Sequence, residues 1–539
     1  MAENLNNTEK NKKTTLGRQK TLIIILAALA AVLGVLYAVL VNLHSDYSLT
    51  LPLYDEDGDL LEYMYSTENG SRVNVVERTE DSVKVDSDSK ITYSSRPFMF
   101  PEVAADELVS VKVENSHGEY EVYLDAYTGE YLVRGGEMLL YDAQQMAQIR
   151  FQSRYTLALQ KIEGRYTSEE SLSPFGLSKG DNPASFTVTS SGGDVYKVYI
   201  GNMLLSGDSY YARLDGKPFV YVVDTSLAVF FDDEYSLYSP IIAEALTQNE
   251  YQYMEEFDID RFGQPFIKSH IVPEDRREGT GDTDLHKLSF PASYSASLSN
   301  YYDALASLQS LSGTKVIEKN VLNGGLDRAA ELFEKYGLDN PSNDVYYKVG
   351  GKESRFLTGN SFTSTASGKT YYAYSEYMDT IVLLPVSSVP FLDYELMDFI
   401  DENVFQINIK NVSQIDVKTE DASCRFVLEG EGSDLKVTEL TTGLTVDASS
   451  FRQFFISLLS VKIEGYAAES DVTGSEELSF TVRSVYGEEH TYTFSTISTT
   501  RALITLDSSS EFYTNRSYVT AIAERLLMLL RGEKIEANY

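Results

Sequence analysis

Cysteine is almost missing from this 539-residue chain: Cys424 stands alone, so no disulfide can form within one copy. None flanks the apolar N-terminal run, which excludes a lipid-attachment site there. Tryptophan is absent altogether. Histidine occurs five times, at His44, His117, His270, His286 and His490, never at the His-x-x-x-His spacing that puts two ligands on one helix face. The sequence therefore offers no zinc site and no cofactor motif. Positive charge is scarce, with 45 Lys and Arg against 81 Asp and Glu and a formal net charge of −36. So acidic a surface repels nucleic acid and anionic headgroups, and no nucleic-acid partner is expected.

Hydrophobicity is concentrated near the start. Leu22 to Val41 reads LIIILAALAAVLGVLYAVLV, twenty residues without a charge, which at the helical rise span about 30 Å, the thickness of a bilayer's hydrocarbon core. This predicts a transmembrane helix over 21–42, with the lipid bilayer as its partner. Lys10, Lys12, Lys13, Arg18 and Lys20 precede it and no Lys or Arg follows until Arg72. The N-terminus is then expected in the cytoplasm and the C-terminal bulk outside the cell membrane. Ala28-Leu29-Ala30 fits a signal-cleavage pattern but lies inside the apolar run, so an uncut single-pass anchor is expected. Ala27, Ala30, Ala31 and Gly34 set small residues one turn apart, a candidate helix–helix contact.

The remainder repeats itself. Leu159-Gln-Lys-Ile-Glu-Gly164 returns as Leu459-Ser-Val-Lys-Ile-Glu-Gly465, Ser185-Phe-Thr-Val188 as Ser479-Phe-Thr-Val482, and Ile242-Ala-Glu-Ala-Leu246 as Ile522-Ala-Glu-Arg-Leu526. A middle copy answers to the first through other residues: Phe175-Gly-Leu177 and Tyr336-Gly-Leu338, Gly201-Asn202 and Gly359-Asn360, Tyr210-Tyr-Ala212 and Tyr371-Tyr-Ala373. The expected organisation is a tail (1–20), the span (21–42), a juxtamembrane strand-and-turn segment (43–104) and three repeats (105–247, 248–400, 401–539).

Each repeat reads alike. Val109–Val113 and Tyr120–Leu124 alternate with a period of two and predict a hairpin. Phe451, Phe454, Phe455, Leu458 and Leu459 fall at helical spacing behind a cap at Asp447 or Ser449. A Gly-Leu or Asn-Pro turn then starts a meander, in the first copy Ser185–Ser190, Val195–Ile200, Tyr210–Leu214 and Phe219–Val223. A short helix closes the unit, Ser239–Leu246 in the first copy and Tyr518–Leu530 in the third. The fold class is α+β, a transmembrane helix followed by three antiparallel sheets with helices on one face.

In its order of hairpin, helix, Tyr336-Gly-Leu-Asp-Asn-Pro341, a strand ending at Ile200-Gly201, Tyr210-Tyr-Ala212 and Val220-Tyr-Val-Val223-Asp224, the stretch 105–539 resembles the bacterial domain of unknown function numbered 4340. The third copy lacks the Tyr-Tyr-Ala and Gly-Leu-x-Asn-Pro signatures. The resemblance implies an envelope protein associated with ABC-transporter subunits of the gliding-motility type, with permease subunits as partners, and carries over no catalytic residue.

Reactive patterns are few. Gly176-Leu-Ser178-Lys-Gly180 has the form of a hydrolase nucleophile elbow, but a helical pattern precedes it and a strand follows, the reverse of what that turn needs. Asp55, Asp57 and Asp59 alternate like a calcium loop whose glycine and final Glu are misplaced. One tyrosine of each Tyr-Tyr pair, Tyr211 and Tyr372, is expected to face outward as a possible platform for a glycan or peptide. The sequence thus predicts a non-enzymatic accessory or sensor subunit of an envelope transport complex, with a cell-wall glycan or peptide binding module as the alternative.

Overall fold

The computed structural model describes residues 26–33, 54–66, 72–74, 90–247, 249–276, 285–468, 471 and 473–536, with side chains 63–95 and 275 outside the description. Residues 26–33 are helical and exposed. The other residues of the expected span, Gly34 among them, lie outside the described residues. Among those described, no helix is long and apolar enough to cross a membrane.

Two compact units contain the chain, Met1–Glu137 with Ala143–Leu237 and Met138–Asp142 with Tyr238–Tyr539. The first holds a sheet whose strands lie in the order Tyr131–Val133, Gly118–Leu124, Leu108–Asn115, Ala184–Ser190, Val195–Met203, Ser209–Leu214, Tyr221–Asp224, Ala158–Lys161. All its pairings are antiparallel. The chain builds one edge first, places Ala158–Lys161 at the far edge, and fills the gap with a meander.

The second unit builds two more sheets. One runs His286–Phe290, Gln264–Ile271, Glu256–Arg261, Asn343–Val349, Lys352–Ser364, Gly368–Ser375, Thr380–Pro385, Lys315–Lys319. The other runs Leu444–Val446, Lys436–Glu439, Ser423–Glu429, Val412–Thr419, Glu476–Ser484, Glu489–Thr496, Arg501–Leu506, Ser509–Asn515, Gly465–Tyr466. Taken in chain order, the three large sheets share one strand order, the last with an extra edge strand. A fourth sheet of three strands, Arg72–Asn74, Leu61–Ser66 and Lys90–Pro97, stands outside this scheme, in the segment expected to be juxtamembrane.

Local predictions survive where the period was clean. The first hairpin pairs Val111 with Val122. In the third sheet Ala448–Leu459 is a helix whose cap is Asp447, accepting the Ser450 amide at 2.8 Å, and it buries Phe451, Phe454, Phe455 and Leu458. The final helix is Arg516–Leu530.

Two expectations are corrected. Residues 239–246 are not helical. The Ile242 and Leu246 amides donate instead to the carbonyls of Leu311 and Gln309, 3.0 and 2.8 Å away, which removes the helical ladder. Nor do helices keep to one face. Neighbouring strand residues point to opposite faces; Tyr210 packs on Phe231 at 5.1 Å between ring centroids, and Tyr211 packs on Phe175 at 5.0 Å. Both faces of the first sheet are therefore covered. In the second sheet Phe257 meets Tyr301 and Phe391 on one side, while Tyr336 and Phe333, on the helix Leu326–Tyr336, cover Tyr372 and Tyr374 on the other. The third sheet keeps a polar outer face, where Thr481 bonds Thr491 at 2.9 Å and Arg425 pairs with Asp416 at 2.7 Å.

Candidate functional site

The matched Gly-Leu and Gly-Asn dipeptides turn out to be one structural device. Gly337 ends its helix in the left-handed region, φ 72°, and the Leu338 amide reaches back to the Phe333 carbonyl at 2.8 Å, a Schellman closure. Gly176 repeats this with φ 68°, Leu177 donating to Leu172 at 3.2 Å. Each turn lies directly on the Gly-Asn pair of the sheet beneath: a Cβ on Gly201 or Gly359 would run into the carbonyl of Phe175 or Tyr336. Leu177 and Leu338, each 2% exposed, plug the sheet below.

This device accounts for the tyrosines. Tyr211 is half-buried against Leu172, Leu177 and Val220, and Tyr372 against Tyr336 and Phe362 at 4.8 and 5.0 Å. Each ring is half-buried, because the helical turn that alternation could not reveal lies over that face. Ser178, in the same turn, caps a short 3-10 segment by donating to Asp181, whose carboxylate also accepts the Ser178 amide at 3.0 Å. Its environment is that of a cap.

Asp55, Asp57 and Asp59 do converge, but on an ammonium. Lys161 Nζ lies 3.4, 2.7 and 3.0 Å from their carboxylates. Asp59, with its side chain fully buried, also accepts from Lys217 and from the Tyr221 hydroxyl, the latter at 2.7 Å. Burial opposes ionisation of Asp59, yet the hydrogen bonds from Lys217, Tyr221 and Lys161 outweigh it and hold its carboxyl below the usual range. The lysine occupies the place a calcium ion would take. Among the described residues no group of three or more His, Cys, Asp or Glu side chains is arranged to hold a metal ion. Cys424 is buried, and burial pushes its thiol up to about 12, as befits a packed, unreactive sulfur.

A concavity with mixed chemistry lies within the second unit. A cavity of about 670 Å³ opens between the strands Gln264–Ile271 and His286–Phe290 of one sheet and Glu476–Ser484 and Glu489–Thr496 of the other, floored by Phe405 and Tyr492. His270 and Lys287 stand opposite each other on paired strands. Burial, and then the Lys287 ammonium, hold the His270 imidazole below the ordinary histidine range. Facing them, Arg276 pairs with Glu488 at 2.9 Å, and His490 Nδ1 lies 3.0 Å from Asp507. A smaller cavity of about 320 Å³ shares Lys287, Ser295 and Phe405 with the first.

Two of the five histidines thus line one cavity although 220 residues separate them in the chain. No sequence spacing could have announced it, since the residues come from two sheets. A third, His286, is buried between the Tyr302 hydroxyl and the Met254 carbonyl, at 3.0 and 2.8 Å.

Antiparallel meander sheets with helical covers define the class, a mixed α+β chain. Residues 291–479 match the family model described as Domain of unknown function (DUF4340). That stretch takes in the helix–turn device at Gly337 and the Phe405 floor of the cavity, while His270, Lys287, His490 and Asp507 flank it. No curated protein and no solved structure matches the chain.

Proposed function

We propose that this chain is a membrane-anchored, extracytoplasmic interaction protein, an accessory or sensor subunit of an ABC-type envelope transport complex, and not an enzyme. The observation that carries the reading is recurrence without shared reactivity. Three large sheets repeat one strand order, and the residues shared by the first two, such as Gly176 and Gly337 or Leu177 and Leu338, serve turns and packing. Repetition of that kind multiplies surface for recognition, whereas a catalyst concentrates its reactive groups in one place. The uncharged run 22–41, its basic leader and the acidic remainder support single-pass anchoring with the bulk outside. Extraction in mild detergent and affinity capture of the full chain tests the proposal: permease subunits should co-purify. Recovery as a lone monomer, or a cytosolic C-terminal reporter, would refute it.

The cavity in the second unit favours a second reading, a module that binds cell-wall glycan or peptide. Its volume suits a ligand of a few residues or sugars, and its lining mixes aromatic rings with donors and acceptors. Retention of the full chain on purified cell-wall material, lost when the cavity is filled by Ser295→Phe, is the expected result.

A further inference from the structure

We infer that the corner of this cavity formed by His270, Lys287 and Ser295 is a binding site for a monovalent carboxylate, carried by a ligand whose neutral body rests on the Phe405 and Tyr492 wall. The inference rests on the second reading above and goes beyond it by naming the recognised group and the residues that recognise it.

The three side chains form one row. His270 pairs with Lys287 in the antiparallel register, and Lys287 bridges in turn to Ser295, so the three are successive cross-strand neighbours, about 5 Å apart, presenting donors to the same space. Lys287 is half-buried where the two cavities meet, and among the described residues its ammonium makes no hydrogen bond or ion pair. A half-buried ammonium left without an anion is stabilised when a ligand brings one.

The other charges around the cavity are already engaged. Arg276 is held by Glu488, Glu489 by Arg483 at 2.9 Å, and Asp507 accepts both His490 Nδ1–H and the Thr491 amide, at 3.0 and 2.9 Å. Three carboxylates on the facing wall therefore see any incoming anion. An ammonium without an ion pair among the described residues matches a single negative charge; a phosphate dianion would face the acidic wall with half its charge unmatched. Size points the same way, since about 670 Å³ holds a dipeptide or a monosaccharide with room for water.

The same chemistry could arrive as the C-terminus of a peptide or as a sugar acid, and calorimetry on the detergent-solubilised full chain separates them. The probes are acetyl-Ala-Ala with a free carboxylate, its C-terminal amide, glucuronate, glucose and inorganic phosphate. At least one acid should bind, with its neutral counterpart at least tenfold weaker, and phosphate should fail to displace it. Binding of the peptide acid alone assigns a peptide source, and of glucuronate alone a sugar acid. Lys287→Gln should erase the advantage of acid over neutral probe, and Lys287→Arg should restore most of it. Equal binding of an acid and its neutral counterpart, unchanged affinity in Lys287→Gln, displacement by phosphate, or no binding of either acid would overturn the inference. If Lys287→Gln fails to fold, the comparison of acid with neutral probe on the native chain decides alone. Equal binding of acid and neutral probes would leave the glycan-or-peptide reading standing, whereas failure of the native chain to be retained on cell-wall material would remove that reading itself.

Discussion

Gly337 and Asn360 are fitted to each other so closely that a Cβ added to the glycine would stand 2.6 Å from the asparagine side chain. The glycine also holds φ 72°, a conformation that costs an L-residue about 1 kcal/mol before any clash. Gly337→Ala should therefore lose roughly 2–3 kcal/mol once the displaced Asn360 is included. Thermal unfolding should register it as a lower Tm, and Gly129→Ala, where φ is 71° and a Cβ meets nothing within 4 Å, should cost less.

Asp59 fastens the residues after the apolar run to the first sheet through Lys161, Lys217 and Tyr221. Removing a buried carboxylate while leaving its ammonium partners costs about 2–4 kcal/mol, with allowance for the part-exposed lysines. Asp59→Ala should expose 54–66 to limited proteolysis while the sheet itself stays folded. The same tether is pH-sensitive. Its folded carboxyl is held below the ordinary range, so the stabilisation is complete above about pH 4, the unfolded value, and is lost as pH falls through the lower folded one. Protease protection of 54–66 should decline over that acid window in the native chain and show no such step in Asp59→Ala.

We assign Tyr211 and Tyr372 to packing. Each ring is half-buried under a glycine turn, so Tyr211→Ala and Tyr372→Ala should each lose about 2 kcal/mol, less than a fully buried aromatic. Tyr→Phe at either place should be nearly neutral. A loss of cell-wall retention in the Phe variants, with Tm unchanged, would contradict this assignment.

Glu439 closes a tight turn by accepting the Thr441 and Thr442 amides, at 2.9 and 2.7 Å, and the Thr442 hydroxyl at 2.6 Å. Burial works against its charge, but these donors prevail and hold its carboxyl down to about 2. Glu439→Gln should cost about 1–2 kcal/mol at neutral pH, seen by denaturant titration. The difference from the native chain should be full above about pH 4.5 and shrink toward pH 2.

Much of this architecture could be read before any coordinates. The alternation at Val109–Val113 and the helical spacing from Phe451 to Leu459 each concern residues that touch within one hairpin or one helix, and there the pattern is the contact. The Gly-Leu and Gly-Asn matches were visible too, but only as text. That they clasp one another is a contact between a helix end and a strand 22 to 26 residues away. The mistaken helix at 239–246 had helical composition, and backbone carbonyls from Gln309 and Leu311 claimed its amides.

What the sequence settled by itself is whatever nearest neighbours along the chain decide: alternation, helical period, caps and the turns that end helices. Tertiary structure decided everything that depends on which faces meet. It gave Asp55, Asp57 and Asp59 to a lysine, covered the faces of Tyr211 and Tyr372, and brought His270 and Lys287 opposite His490 and Asp507. The reason is that periodicity records whether a residue is turned inward or outward from its own element, whereas a site is made by elements far apart in the chain whose packing no local pattern encodes.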